Sequence, residues 1–166
     1  MSSPVTVPSA QGTRISLAAE ETRAFGRALG ARAQPGTLLA LIGPLGAGKT
    51  QLAKGVADGL GVRGVVNSPT YVLMNEHPGR LVLFHVDAYR LADPEEALAA
   101  GLLDDRLVEG LAVIEWADRL AGWLPDERLE IVLVPDATDA EQRTIEWRAY
   151  GATHADLVSR VEAAGS

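Results

Sequence analysis

Along the chain, apolar positions alternate between a two-residue period and a period near 3.6, with short continuous apolar runs between them. Thr13, Ile15 and Leu17 alternate with Arg14 and Ser16, which predicts a short strand. From Ala18 to Ala33 the spacing turns helical: Ala24, Phe25, Ala28 and Leu29 share a face, and Glu20, Glu21, Arg23, Arg27 and Arg32 lie mostly on the other. Pro35-Gly36 marks a turn. Thr37–Ile42 is apolar enough for a strand buried on both faces. A second helix follows over Gln51–Leu60, with Leu52, Ala53, Val56, Ala57 and Leu60 on one face and Gly61 placed to close it.

The second half repeats the alternation of strands and helices. Val72-Leu73-Met74 and Leu81–Asp87 predict two strands joined by a hairpin turn at Pro78-Gly79. Asp93-Pro94-Glu95-Glu96 opens a helix, with Asp93 as cap and Pro94 at the first helical position, and Leu102–Val108 continues as a short second one. Leu111–Trp116, Leu129–Val134 and Thr144–Tyr150 are further strands. Thr153 caps a final amphipathic helix over Ala155–Ala163. Neither a repeat nor an interdomain linker interrupts this order. The expected architecture is a single α/β domain over residues 13–166, preceded by a loose tail at 1–12. Its sheet is mixed and largely parallel, flanked by helices, because a tight hairpin cannot join parallel strands.

Composition narrows the function classes. The chain has 166 residues, 47% hydrophobic and 22% charged, which suits a water-soluble domain with a real core. No apolar run approaches the ~20 residues that span a bilayer. No charged segment followed by an apolar stretch opens the chain, so a cytoplasmic location and no membrane contact are expected. Cysteine is absent, which removes disulfides, thiolate metal sites and Cys nucleophiles together. The net charge of −7, without a local run of Lys and Arg, disfavours direct binding of a nucleic-acid backbone.

The candidate chemistry begins at the end of the buried strand. Gly43-Pro44-Leu45-Gly46-Ala47-Gly48-Lys49-Thr50 fits the G-x-x-x-x-G-K-[ST] pattern in its strand–loop–helix context. Glycines let the backbone wrap closely around an anion, and successive N–H groups make a concave nest for phosphates. The helix that follows aims its positive dipole end at the same point. Gly43, Leu45, Gly46, Ala47, Gly48, Lys49, Thr50 and Gln51 are therefore candidate nucleotide-binding residues. Lys49 supplies the cation for the terminal phosphates and Thr50 a hydroxyl for Mg²⁺.

Two later strands end in carboxylates, Asp87 and Glu115, at the sheet edge where α/β proteins hold their ligands. Both are candidates for Mg²⁺ coordination and for positioning a water, and the pattern alone does not divide the two roles. Ser68-Pro69-Thr70-Tyr71, two hydroxyls beside a rigid proline, reads as a switch-like segment or a plain polar turn. His85 faces the same side of its strand as Asp87, within reach of the site, and reads more simply as a hydrogen-bonded core histidine. His77 and His154 are isolated and expected at the surface. No His/Asp/Glu cluster has metal-ligand spacing, so the expected metal is Mg²⁺ carried in with ATP or ADP.

In series, Leu45-Gly46-Ala47-Gly48-Lys49-Thr50, Ser68-Pro69-Thr70-Tyr71, His85-Val86-Asp87-Ala88-Tyr89-Arg90-Leu91 and Glu115-Trp116 resemble the TsaE (YjeE) family of bacterial tRNA threonylcarbamoyladenosine biosynthesis ATPases. The resemblance covers roughly residues 13–135. It implies a small P-loop fold, Mg-dependent ATP binding and slow hydrolysis stimulated by partners. Those partners are TsaD and TsaB, which together with this family carry out the N6-threonylcarbamoyl modification of adenosine 37 in tRNA. The transfer itself belongs to TsaD, and tRNA is met only through the complex. By the same resemblance Lys49 binds phosphate, Thr50 binds Mg²⁺, Asp87 and Glu115 share Mg²⁺ and water, Thr70 sits in a switch, and Trp116 and Arg90 lie near the site. Gln51 stands where the family often has a second Thr, and Ala117 where many members have Pro.

Two other readings fit a P-loop: a small-metabolite kinase, and a nucleotide-gated binding module without significant hydrolysis. A kinase calls for an arginine-rich lid, and Arg90 alone hints at one. A pure binder has no need of two strand-end carboxylates.

Overall fold

The computed structural model describes residues 7–64, 66, 74–89, 91, 95 and 105–165. In chain order these form β1 (Ala10–Ser16), α1 (Ala19–Arg32), β2 (Thr37–Ile42), α2 (Lys49–Gly59), β3 (Met74–His77), β4 (Leu83–Asp87), β5 (Leu111–Glu115), β6 (Arg128–Pro135), β7 (Arg143–Tyr150) and α3 (Ala152–Ala164). Short 3-10 turns at Asp105–Glu109 and Ala117–Leu120 flank β5. The strands make one seven-stranded sheet in the order β1-β7-β6-β2-β5-β4-β3.

The expected α/β domain with a mixed sheet is thus present. Its four central strands, β6, β2, β5 and β4, run parallel, and the margins are antiparallel: β3 on β4 at one side, β7 and β1 beyond β6 at the other. Hydropathy explains the division. β2 and β5 are buried on both faces, as parallel central strands require. In β6, Leu129, Ile131 and Leu133 are buried while Val134 is exposed, the alternation of a half-covered strand.

One face of the sheet presents Leu39, Leu41, Leu83 and Val113 to Phe25, Leu29, Leu52 and Val56 of α1 and α2. The other carries Leu38, Ala40, Phe84, Val86 and Ile114, packed with Leu107 and Leu120. The two helices touch through glycines. A Cβ on Gly26 or Gly30 would strike the backbone of Leu52 or Val56, and one on Gly55 or Gly59 the backbone of Arg23 or Arg27. α2 ends as expected at Gly61, whose φ is +72°. The Gly61 N–H donates to Asp58 O at 3.1 Å and the Val62 N–H to Ala57 O at 3.0 Å, the paired bonds of a Schellman closure.

Several local expectations shift. β1 begins at Ala10, inside the stretch read as tail, because Ala10–Ser16 pairs along its whole length with β7. Its apolar residues face outward: Ile15 and, just beyond the strand, Leu17 are 59% and 58% exposed, while Arg14 turns inward with its guanidinium 4.6 Å from the Phe25 ring centre. The register Arg14↔Ile145 sets this parity, and a shift of one residue exchanges the faces of a strand. α3 starts at Ala152 behind Gly151, whose φ of 93° ends β7, so Thr153 lies inside the helix and does not cap it. His154, expected at the surface, is buried, and its Nε2 accepts the Leu38 N–H at 3.0 Å. The helix opened by Asp93 lies largely outside the described residues. Among the described residues no helix is long and apolar enough to cross a membrane.

Candidate functional site

The loop between β2 and α2 carries the strongest local geometry. Gly46 and Gly48 have φ of +78° and +106°, which only glycine adopts without strain. Gly43 sits so close to β6 that a Cβ would lie 2.8 Å from Leu133 O. Gly48 is also the N-cap of α2 and offers no side chain to its first turn. The orphan N–H groups of that turn therefore look into the loop.

Lys49 opens α2 and is almost fully buried. Its Nζ donates to Gly43 O at 2.5 Å and Pro44 O at 2.8 Å, and stands 3.9 Å from the centre of the Trp116 ring. Burial pushes the ammonium pKa below its ordinary value, and the charges of Glu115, Asp118 and Asp87 oppose that shift. The next residue turns to β5: the Thr50 hydroxyl donates to Glu115 Oε1 at 3.0 Å.

Glu115 and Asp87 end adjacent parallel strands and are register partners. Glu115 is only 2% exposed, and its second oxygen accepts the Nε2–H of fully buried His85 at 2.5 Å. The carboxylate is thus fixed from both sides, by a strand neighbour and by the first turn of α2. Asp87 is more open, and its Oδ1 accepts the Tyr89 N–H at 2.9 Å. Burial raises its carboxyl pKa; the Tyr89 bond works against this, and the Glu115 charge adds to it.

Beyond Glu115 the chain turns sharply. Trp116, at φ 59° and ψ 40°, is the one non-glycine residue with positive φ among the described residues. Such a conformation costs an L side chain energy and clusters at functional sites. The turn brings the Trp116 ring against the Lys49 ammonium and against Tyr89, whose ring centre is 4.9 Å away at a 45° tilt. The Arg119 guanidinium lies 5.4 Å from the Tyr89 centre and 6.0 Å from the Trp116 centre, against both rings.

These groups line one cavity of about 410 Å³, walled by residues 45–51, Asp87, Tyr89, Glu115 and Trp116. A cavity of about 400 Å³ between β1, α1 and α3 is as large. Its Arg14, however, is already engaged with Phe25 and Glu162, so the site is assigned by convergent chemistry, not by volume. Of the residues singled out from sequence, the structure gathers Leu45 to Gln51, Asp87, Glu115 and Trp116 around one space, with Gly43 at its back. Ser68, Thr70, Tyr71 and Arg90 lie outside the described residues. Among the described residues no group of three His, Asp or Glu side chains is arranged to hold a metal by itself.

Sequence reasoning missed the parts played by Tyr89, Arg119 and Arg143. His85, expected as a hydrogen-bonded core histidine, is one, and its bond to Glu115 crosses diagonally between strands. Tyr89 and Arg119 build the aromatic wall. Arg143, at the start of β7 two strands from β2, reaches the loop backbone at Ala47 O and Gly46 O. Tyr89 had a sequence signal, its place in the His85–Leu91 motif; a side chain that binds backbone carbonyls leaves none.

Comparison with known proteins bears on this arrangement. The model of one protein family, described as "Threonylcarbamoyl adenosine biosynthesis protein TsaE", matches residues 16–147. The chain belongs to the TsaE family. The matched region takes in the loop, both carboxylates and Arg143, and stops before α3. The TsaE protein of Bacillus subtilis is 43% identical over 133 residues, covering 80% of this chain and 82% of the relative. That of Mycobacterium leprae is 46% identical over 123 residues, 69% and 76% of the two chains. That of Nostoc is 35% identical over 155 residues, 90% and 93%. The crystal structure of Bacillus subtilis YdiB superposes with a TM-score of 0.80 at 33% identity, over 95% of this chain and 97% of that one.

Proposed function

We propose that this TsaE-family chain is the Mg-dependent ATP-binding and ATP-hydrolysing component of the machinery that makes tRNA N6-threonylcarbamoyladenosine, and that it drives turnover of a TsaD–TsaB complex in the cytoplasm. Its relatives bear the name tRNA threonylcarbamoyladenosine biosynthesis protein. The observation that carries the ATPase reading is the Thr50–Glu115 hydrogen bond at 3.0 Å in the mouth of the loop, with Asp87 on the adjoining strand end.

The residues fit the groups the reading requires. Mg²⁺ is held in such sites by few protein oxygens, together with phosphate oxygens and water, and a Thr hydroxyl beside a carboxylate suits it. When bound, the ion neutralises charge on the phosphates. Lys49 exchanges its two carbonyl partners for phosphate oxygens, which return a full charge–charge contact for the lost neutral acceptors. The loop N–H groups hold the phosphates, and the carboxylate not engaged with the ion orients the attacking water. Among the described residues, no arginine lines the cavity to meet charge developing on the γ-phosphate. An arginine supplied to such a site is worth ~10³–10⁵ in rate. Slow hydrolysis alone, completed by a docked partner, is the reading this supports; Arg90, outside the described residues, is the internal alternative, and an arginine supplied in cis would make the isolated protein fast.

The test is steady-state phosphate release from ATP, with and without Mg²⁺, by the pure protein and then with stoichiometric TsaD–TsaB. The expected result is slow, Mg-dependent release that the partners accelerate. Brisk turnover that the partners leave unchanged would overturn the partner-gated mechanism, and phosphoryl transfer to a small acceptor would establish the kinase reading.

A further inference from the structure

Arg143 opens β7, and its guanidinium donates to four backbone carbonyls. Nε meets Ala47 O at 2.9 Å and Nη2 meets Gly46 O at 3.0 Å, both in the phosphate loop. Nη1 meets Ala140 O at 2.6 Å and Gln142 O at 2.9 Å, both in the turn between β6 and β7. That turn is itself braced. The Asp136 carboxylate accepts the N–H groups of Thr138 and Asp139 and the Thr138 hydroxyl at 3.0, 2.9 and 2.8 Å. The Asp136 N–H returns to Gln142 O at 3.0 Å. Arg143 therefore ties the loop to a fixed post on the neighbouring hairpin.

The geometry matters because of where the two loop carbonyls sit. In a planar trans peptide, C=O and the following N–H point in opposite directions. Holding Gly46 O and Ala47 O toward β7 orients two successive peptide planes, and the Ala47–Gly48 plane turns its N–H into the loop. These planes lie between the two left-handed glycines, the stretch of loop that side-chain sterics restrain least. A planar fork with fixed donor directions suits two adjacent carbonyls, and a lysine ammonium is a point donor on a flexible stem.

We infer that Arg143 is a positioning residue that holds the phosphate loop in its anion-receiving conformation before a nucleoside diphosphate or triphosphate arrives. The inference rests on the reading that this loop binds nucleotide phosphate. Loss of the clamp lets the loop populate other conformations, and apparent affinity falls in proportion to the competent fraction.

The test compares wild type with Arg143→Ala, Arg143→Lys, Lys49→Ala and Arg14→Ala. Binding of fluorescent ADP and of inorganic pyrophosphate is measured at a temperature where each variant is folded by circular dichroism. Arg143→Ala should weaken ADP about tenfold, and pyrophosphate by a similar factor, because the defect lies in the phosphate nest. Arg143→Lys keeps the charge but not the fork and should fall between. Arg14→Ala disturbs β1 and α1 away from the loop and should keep wild-type affinity, which separates positioning from loss of stability. Should Arg143→Ala fail to fold, the Lys variant carries the test alone, and wild-type affinity in it overturns the clamp. Affinity within twofold of wild type for Arg143→Ala, with Lys49→Ala weakened, overturns the assignment of Arg143 alone. A loss seen with ADP but not with pyrophosphate places Arg143 at the nucleoside and also overturns it. Absence of ADP binding in wild type overturns the underlying reading.

Discussion

Lys49 is held by two carbonyls and an aromatic face, so its side chain is already ordered at the loop mouth. Little conformational entropy is left to lose when it turns to a phosphate. Lys49→Ala removes a charge-assisted contact, typically ~1.5–3 kcal/mol, and ADP affinity should fall roughly ten- to a hundred-fold in a fluorescence titration. The two carboxylates should separate in a second experiment. Asp87→Ala and Glu115→Ala both abolish Mg-dependent phosphate release, but only Glu115→Ala also lowers the melting temperature, since it strips buried His85 of its acceptor. An Asp87 variant that hydrolyses ATP at the parental rate would reduce that residue to a strand-end cap. At this scale the loop glycines, Lys49, Thr50 and the strand-end acids were legible, because each is a residue type placed by a simple local rule. The left-handed backbone of Trp116 and the grip of Arg143 were not, since both depend on neighbours far along the chain.

Between elements, the contact of α1 with α2 shows where hydropathy is blind. The periodicity finds both helices, but it counts Gly26, Gly30, Gly55 and Gly59 as neutral, although they are the surface where the backbones meet. Gly55→Ala tests the point. Alanine favours the helix by about 0.8–1.0 kcal/mol over glycine. Its Cβ would meet the Arg23 carbonyl and the Arg27 nitrogen, backbone atoms that cannot rotate aside. Overpacking of this kind costs about 1–3 kcal/mol, so the net change is destabilising and thermal denaturation should shift several degrees downward. An unchanged or raised melting temperature would show that the helices separate freely. The outward-facing apolar residues of β1 have a related origin: a short edge strand takes its parity from the β7 register and not from its own alternation.

Over the whole molecule, α3 is fastened to the central sheet through His154. Its Nε2 accepts the Leu38 N–H and so carries no proton. Burial lowers its pKa below the ordinary 6.5, and Glu127 pulls the other way. The unfolded chain therefore binds the proton more readily than the folded one. Stability from neutral His154 is fully present above about pH 6.5 and is lost as pH falls toward the folded value, by at most ~1.4 kcal/mol per pH unit. Melting curves between pH 8 and 5 should show a steeper acid decline for wild type than for His154→Gln; parallel declines would remove His154 as the cause. The general architecture could be read in advance because parallel central strands must be buried on both faces. Strand order could not, since it is decided by pairings such as Ala10 with Ala149.

That strand order also sets a timetable. The phosphate loop is written by residue 50, but β2 stands between β5 and β6, and the loop carbonyls wait for Arg143. At ~5–20 residues per second, a ribosome needs roughly 5–20 s to travel from residue 50 to residue 143. During that interval the nascent chain carries the whole phosphate-binding signature and lacks the neighbours that give it shape. The loop is among the early parts of this protein to be synthesised and among the last to be finished.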